Sequence, residues 1–361
     1  DFLVKGNNNP FQTGIDVLNK LTKGEVHLSL SSSYPAADVF TEASGLSLHY
    51  FKGPHPAGNP GVQIHHIDPV NKDEVVWYVQ PQEVIMIGRL FNKGIYDTTK
   101  VIAVTGSEVK KPRYFKVLSG TSIEPYVLDN VNSGDLRYIS GNALTGNKIN
   151  KIGYLGYYDN QITVLPEGNY FEMFGWMLPG FKKLSVSRSF PSWLTPGREY
   201  KVDTNLKGGE RPFVVSGEYE KVLPMNIYPM HLLKAILVDD IEKMEQLGIF
   251  EVAEEDFALC EFVCPSKTEI QSIIRQGIDL MINPDSVVAE EIVHAVSYTA
   301  AAEVAEFAGG SVVFLGYPIA PNSPLIGISM RTLGEIRGLY RMIVTGISRD
   351  SQTIIPYGED V

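Results

Sequence analysis

Lysine disappears part-way along this chain, and no other feature constrains its folding as strongly. Lysine recurs up to Lys267 and is then absent to the last residue, Val361, whereas alanine becomes dense between Ala289 and Ala308. Such an abrupt change in composition is typical of a boundary between segments that fold independently. We therefore predict a join near residues 281–283.

The overall composition describes a folded protein of several domains. Hydrophobic residues make up 44% of the 361 positions and charged residues 20%, values typical of globular chains. This length predicts roughly two to four domains. The formal net charge of −11 argues against nucleic-acid binding, because phosphate contact requires a basic surface. Apolar runs are too short or too charged to span a membrane, where about 18 residues are needed.

Cellular location is predicted from the cysteines and the N-terminus. Two cysteines in so long a chain favour a reducing, cytoplasmic setting, and no signal peptide is visible. The chain opens with Asp1 instead of methionine, so we expect an internal fragment of a longer protein.

Before the join, hydrophobic periodicity predicts an α/β region and then a β-rich module. Apolar residues at helical spacing precede Gly24, and Pro81 begins a second helix that ends before Gly94. Strands are predicted at 25–30, 46–51, 101–104, 114–117, 137–141, 152–164, 184–190 and 200–204. Residues 230–281 have a helical period, with a helix beginning near Phe257.

After the join, the pattern predicts a small α+β domain. One helix is predicted at 284–296, and a second, alanine-rich helix follows it to about Phe307. A short helix is predicted at 333–337. Strands are predicted at 311–317, 342–347 and 353–356, the last at a sheet edge because proline cannot donate to a ladder.

A rigid turn rich in proline and histidine stands out near the N-terminus, and we name residues 51–69 the Pro/His segment. It begins with FKGPHPAG, in which two prolines fix the backbone on both sides of His55. Such a loop suits docking to a partner. A zinc site is the alternative, because His55, His65, His66 and Asp68 all fall here. We favour the structural or docking loop over a zinc hydrolase.

No other motif specifies an enzyme. Cys260 and Cys264 lie four residues apart, on one face of a predicted helix, but two thiols are too few for an iron–sulfur cluster or a structural zinc. We therefore predict buried structural cysteines. Glycine-rich phosphate loops and a nucleophile elbow are absent from the sequence. No catalytic, cofactor-binding or metal-binding residue is nominated.

Four stretches before the join resemble one family. They are FKGPHPAG at 51–58, YISGNALTG at 138–146, FGW at 174–176 and EEDFALCEFVCP at 254–265. In this order they resemble the A subunit of the sodium-translocating NADH:quinone oxidoreductase, and the resemblance covers residues 1–281. The family's N-terminal module, which resembles a biotinyl/lipoyl carrier, has no counterpart in these residues.

The resemblance implies a peripheral protein of a respiratory complex, on the cytoplasmic face of the bacterial inner membrane. The complex passes electrons from NADH to ubiquinone and exports sodium, with its flavins and iron–sulfur centres in partner subunits. This chain is then expected to bind no redox cofactor, to contact membrane subunits, and to be non-catalytic when isolated, with a quinone as a candidate ligand. We predict that it docks through residues 54–69.

After the join, the resemblance is to a different family. EFAGG at 306–310, SPLIG at 323–327 and IIP at 354–356 resemble the C-terminal regulatory (RCK-C) domain of TrkA-type potassium-uptake proteins. That resemblance implies, as an alternative function, ligand sensing for potassium transport, with a small nucleotide ligand and dimerisation at this domain. Either the chain is a fusion of two proteins, or two separate polypeptides share one residue numbering.

The two resemblances together divide the chain into five predicted domains. The predicted fold class is multidomain α/β and α+β. The domains are a Rossmann-like domain related to the complex I flavoprotein subunit (1–98), a β-grasp module (99–150), a β-rich extension (151–222), a helical domain (223–281) and an RCK-C-like domain (283–361).

Overall fold

The computed structural model describes residues 2–175, 180–186, 188–195, 197–282, 303–307, 312–316, 319, 323, 326–329, 344–345, 347–349 and 352–354. The chain divides into two compact units, Asp1–Ile282 and Asn283–Val361. The first unit mixes helices and strands, which agrees with the predicted mixture of α/β and α+β structure.

The first unit opens with an α/β region of short strands flanked by helices. The elements are α1 Asn8–Leu21, β1 His27–Ser31, α2 Asp38–Thr41, β2 Ser47–Phe51, α3 Pro60–Ile67 and α4 Pro81–Lys93. Strands β1 and β2 pair in parallel. The two long helices and both strands confirm the sequence prediction. Pro81 is the first residue of α4, and Gly94 ends it with a left-handed φ of 67°, as its lack of a Cβ permits.

Two glycines allow α1 and α4 to pack closely. A Cβ built on Gly14 would overlap the Val84 carbonyl of α4, and one built on Gly88 would overlap the Pro10 carbonyl of α1. The backbones therefore approach more closely than larger side chains would allow. Phe11, Ile15 and Val84 are buried in the core beside this crossing.

A five-stranded mixed sheet follows, in the order β4-β3-β7-β5-β6. Its elements are β3 Thr99–Thr105, β4 Arg113–Leu118, β5 Leu136–Ser140, β6 Asn147–Ile149, β7 Gln161–Pro166 and the short helix α5 Glu124–Val127. The central strand β7 runs parallel to β3 and antiparallel to β5. Alternate residues Ile102 and Val104 face Ile162 and Val164 in one core, as the period of a strand requires. The sheet extends past the predicted module boundary at residue 150, because β7 lies beyond it.

One buried carboxylate ties this sheet to the segment that follows it. Glu167 accepts hydrogen bonds from Arg137 Nη2 at 2.6 Å, Lys148 Nζ at 2.8 Å and Thr204 Oγ1 at 2.8 Å. The bond from the Arg137 guanidinium is the main cause that lowers the pKa of Glu167 to about 2. Because the ionised form is favoured by folding, this pKa makes stability depend on pH.

We expect Glu167 to contribute to acid unfolding. Its pKa is lower in the folded state than in the unfolded chain, so its stabilisation is complete above about pH 4.5 and is lost as pH falls towards 2. The shift corresponds to about 3 kcal/mol. Replacing it, Glu167→Gln, should therefore flatten the acid limb of a chemical-denaturation series. The exposed Glu199 provides the control, since Glu199→Gln should leave that limb unchanged; an identical result for both variants would contradict the assignment.

The predicted strands at 184–190 and 200–204 are wrong for the residues that the structure describes. Side-chain hydroxyls occupy backbone groups that a strand would need: Ser192 Oγ accepts from the Ser185 N–H, and Ser185 Oγ accepts from the Phe190 N–H. Asp203 Oδ1 accepts from the Asn205 N–H in the same way. Such local bonds compete with sheet ladders and produce a loop.

Helices dominate the end of the first unit, as predicted. They are α6 Pro229–Leu237, α7 Ile241–Gln246, α8 Ala258–Val263 and α9 Ile270–Ile282, and we name residues 219–282 the helical region. Leu232, Leu233 and Ile236 of α6 are fully buried in its core. Val62 of α3 belongs to that same core, so a residue of the N-terminal α/β region completes it.

The second unit contains two antiparallel strand pairs among its described residues. Strands β8 Glu303–Phe307 and β9 Val312–Gly316 pair with each other, as do β10 Ile347–Arg349 and β11 Gln352–Ile354. The strands predicted at 311–317 and 353–356 are confirmed at β9 and β11. The strand predicted at 342–347 is wrong at Val344 and Thr345, which are not in a strand.

The alanine-rich helix predicted to reach Phe307 is wrong over residues 303–307. Pairing with the β-branched and aromatic residues of β9 gives this segment a backbone ladder, which overrides the helical propensity of alanine and glutamate. The helices predicted at 284–296 and 333–337 lie outside the described residues.

Candidate functional site: the junction of the Pro/His segment with the helical region

The Pro/His segment begins with two consecutive turns. The Ala57 N–H donates to the Pro54 carbonyl at 3.0 Å, and the Asn59 N–H donates to the Pro56 carbonyl at 2.8 Å. Pro54 and His55 are exposed, while Pro56 is buried. The predicted turn is therefore present, and helix α3 follows it immediately.

A carboxylate from the helical region meets the N-terminal end of α3. Asp256 is 1% exposed, and its Oδ2 accepts from the Ala253 N–H at 3.1 Å. Burial raises the pKa of Asp256, while hydrogen bonds from the side chain of Asn59 and the backbone of Val62 oppose that rise. A carboxylate bonded to a first-turn amide stabilises a helix, so Asp256 caps α3 from a distant part of the chain.

Gly61 allows this contact because it has no side chain. A Cβ built on Gly61 would overlap the Asp256 carboxylate. The neighbouring Asn59 donates from Nδ2 to the Glu255 carbonyl at 3.1 Å. The stretches 51–58 and 254–265, which carry much of the family resemblance, are therefore joined through residues 59–62.

His65 connects α3 to two further parts of the helical region. Its Nε2 accepts from the Asn226 N–H at 2.9 Å, so Nδ1 carries the proton and donates to Glu251 Oε2 at 2.7 Å. His66 donates from Nε2 to the Pro224 carbonyl at 2.9 Å. Both ring nitrogens of the buried His65 are thus occupied by the protein itself.

These bonds leave neither ring nitrogen of His65 free to bind zinc, as the zinc-hydrolase alternative would require. His65 has no nitrogen left for a metal, and the exposed His55 lies in the preceding turns. Across the part of the chain that the structure describes, no three His, Cys, Asp or Glu residues are grouped so that they could hold a metal ion.

The docking role proposed for residues 54–69 stays a prediction, and the structure limits the surface that could serve it. Val62 and His65 are buried against the helical region, so this face of α3 is not open to a partner. The exposed residues of the segment are 52–55, Gly58, His66, Asp68 and Pro69.

The two cysteines are buried, as predicted. Cys260 lies in α8 and Cys264 directly follows that helix, with exposures of 0% and 1%. The Tyr219 hydroxyl lies 3.0 Å from Cys264 Sγ. Burial raises the pKa of the Cys260 thiol to about 12, so it stays protonated and is a poor metal ligand or nucleophile.

A third motif stretch also contacts the helical region. In YISGNALTG, Asn142 Oδ1 accepts from the N–H groups of Leu144 and Thr145. This arrangement presents the Leu144 carbonyl to Gln271 Nε2 of α9 at 3.1 Å. In the remaining stretch, FGW, Phe174 is exposed and Trp176 lies outside the described residues.

The sequence analysis missed Gly61 and Asp256 as a pair. The signal for Asp256 was present, since EEDF before an apolar run resembles a helix start with a capping acid. No sequence signal linked that acid to a helix almost two hundred residues earlier.

The fold and this junction define a multidomain α/β protein whose distinctive motifs hold its own modules together. Residues 1–96 match the family model described as NqrA second alpha/beta domain, and residues 101–151 match the model described as NQRA C-terminal domain. Neither match reaches residues 283–361, and nothing in the comparisons supports the predicted RCK-C resemblance or a role in potassium transport.

Curated relatives cover about three quarters of the chain. The A subunit of the Na(+)-translocating NADH-quinone reductase of Rhodopirellula baltica is 43% identical over 272 residues, which is 74% of this chain and 59% of the relative. The same protein of Pasteurella multocida is 38% identical over 77% of this chain and 62% of the relative. The chain spans about 60% of the length of these relatives. The matching part of the chain is therefore similar to the NqrA family.

Proposed function

We propose that this chain is part of the peripheral A subunit of a sodium-translocating NADH:quinone reductase. The main observation in support is that the chain is 37–43% identical to proteins of that name over about three quarters of its length. Within the part of the chain that the structure describes, no helix is long and apolar enough to cross a membrane. A place on the cytoplasmic face of the bacterial inner membrane, bound to membrane subunits, is consistent with that finding.

We propose that the chain acts as a scaffold and leaves electron transfer to partner subunits. The buried Cys260 and Cys264 support this role, because neither sulfur is open to an iron centre of a partner, and burial raises the pKa of the Cys260 thiol so that it stays protonated. The internal contacts of Asp256 and His65 support it as well, because they fix the arrangement of the modules within the first unit. The exposed turn at 52–55 remains available to a partner.

The finer domain assignments remain part of this proposal. Parallel strands β3 and β7 at the centre of a sheet with antiparallel neighbours support the β-grasp assignment, with its boundary moved from residue 150 to Pro166. Parallel pairing of β1 and β2 between helices supports a Rossmann-like arrangement for residues 1–98.

Affinity capture from native membranes tests the proposed function. The tagged chain is expressed in the organism that it comes from. It should co-purify with a membrane activity that oxidises NADH, reduces quinone and is stimulated by sodium. The purified chain alone should lack that activity. Capture without any sodium-stimulated NADH:quinone reductase would refute the proposal, and visible flavin or iron–sulfur absorbance of the isolated chain would refute the scaffold role.

A further inference from the structure

Four exposed tyrosines lie near the half-buried Glu83 and the buried Lys100, where α4 meets the five-stranded sheet, and we name Tyr78, Tyr96, Tyr157 and Tyr158 the tyrosine surface. Their exposed fractions are 59%, 59%, 43% and 74%. Such a concentration of exposed aromatic side chains is unusual on a free surface and is typical of interaction sites.

The base of the tyrosine surface is fixed by hydrogen bonds. Lys100 is 2% exposed, and its ammonium donates to the carbonyls of Tyr157 at 2.5 Å and Asp159 at 2.7 Å. The hydroxyls of Tyr96 and Tyr157 contact each other, and the rings of Tyr157 and Tyr158 lie 5.0 Å apart at 81°. Tyr96, Tyr157 and Tyr158 are therefore held in place before any partner arrives, which lowers the entropic cost of binding.

The same site contains an acceptor that the described part of the chain leaves unused. Glu83 Oε2 is buried and has no hydrogen-bond partner among the described residues. Burial raises the pKa of Glu83, while backbone hydrogen bonds and the charge of Lys100 oppose that rise. Glu83 therefore adds to the acidic character of the site, although its Oε2 is not open to a partner.

The surroundings of the tyrosine surface are acidic. Burial raises the pKa of Tyr78, and the negative charges of Glu255, Glu83 and Asp256 raise it further, so these carboxylates lie close to its phenol. The cation at the base of the surface, Lys100, directs its ammonium inward to backbone carbonyls. An anionic partner such as nucleic acid or an acidic lipid surface would be repelled here.

We propose that the tyrosine surface binds an arginine-bearing cytoplasmic segment of a membrane protein. A planar guanidinium can stack on tyrosine rings and donate to a carboxylate such as the exposed Glu255 at the same time. Cytoplasmic loops of membrane proteins carry an excess of arginine and lysine, which complements this acidic, aromatic site. The choice of a membrane protein as the source rests on the proposed function.

Peptide binding to the intact chain tests the recognition chemistry. The probes are a fluorescent peptide of alternating arginine and serine, and a matched peptide with lysine in place of arginine. We expect the arginine peptide to bind several-fold more tightly. The lysine ammonium is not planar, so it cannot stack on a tyrosine ring or donate two parallel hydrogen bonds to a carboxylate. The double variant Tyr78→Ala, Tyr158→Ala should weaken arginine-peptide binding about tenfold, and Glu255→Gln should weaken it several-fold.

The control is Tyr34→Ala, which removes a tyrosine of 77% exposure on the loop after β1. It should leave peptide binding unchanged, and thermal unfolding should show that all variants remain folded. Equal binding of the two peptides, or full binding by the double tyrosine variant, would overturn the proposal. So would tyrosine-dependent binding to vesicles of anionic phospholipid in preference to the arginine peptide.

Membrane capture separates this inference from the proposed function. If the unaltered chain captures the reductase and the double variant captures it equally well, the binding role proposed for the tyrosine surface is wrong and the proposed function stands. If the chain binds the arginine peptide but captures no reductase, the proposed function is wrong, while the tyrosine surface still binds arginine as proposed. We expect capture by the unaltered chain and its loss in the double variant.

Discussion

Replacing Gly61 with alanine is expected to lower the free energy of unfolding by about 3 kcal/mol. Alanine is the better helix former by about 1 kcal/mol, so propensity alone would predict stabilisation of α3. The added Cβ would, however, overlap the Asp256 carboxylate. Asp256 would have to leave the Ala253 amide and the end of α3, and a buried acid without donors is costly.

Chemical denaturation of the Gly61→Ala variant measures this effect, with Gly58→Ala as its matched control. Gly58 lies three residues earlier in the same segment, and a Cβ built there meets no atom within 4 Å. Its replacement should change stability by no more than about 0.5 kcal/mol. A stable Gly61→Ala variant would show that Asp256 does not hold the helix end.

Replacing His65 with leucine is expected to cost about 2–3 kcal/mol and to loosen α3 from the helical region. Leucine fills similar space but removes the hydrogen bonds to the half-buried Glu251 carboxylate and to the Asn226 N–H. A neutral hydrogen bond contributes about 0.5–1.5 kcal/mol and one to a charged group about 1.5–3 kcal/mol. Hydrogen exchange should report the loosening as faster exchange in α3 and at Asn226, with the sheet unaffected.

The adjacent His66 provides the comparison. It is exposed and makes a single bond to the Pro224 carbonyl, so His66→Leu should cost less than about 1 kcal/mol. Equal losses for the two variants would mean that His65 has no special role. Faster exchange throughout the first unit of the His65→Leu chain would show global destabilisation instead of a local junction.

Periodicity and turn chemistry predicted much of the first unit from local sequence. Pro81 and Gly94 bound α4 as predicted, and the strands at β1, β2, β3, β4 and β5 arise where apolar and β-branched residues cluster. The burial of Cys260 and Cys264 was also predicted, because two thiols are too few for an iron–sulfur cluster or a structural zinc. These features depend on residues close in sequence, so a local pattern carries them.

Long-range pairing decided the features that were predicted incorrectly. Residues 303–307 read locally as the end of a helix, yet pairing with β9 makes them a strand. Residues 184–190 read as a strand, yet the hydroxyls of Ser185 and Ser192 occupy the amides that a ladder would use. In both cases the competing partner was invisible to a periodicity argument.

By itself, the sequence determined the mixed α/β character, the resemblance of the first three quarters to the NqrA family, and a rigid proline-bounded turn at 54–56. Only the tertiary structure showed that α3 faces inward, because Asp256 and Glu251 reach it from the far end of the first unit. The physical reason is that a buried polar group needs a partner wherever the fold can supply one, and sequence separation does not reveal which group that is.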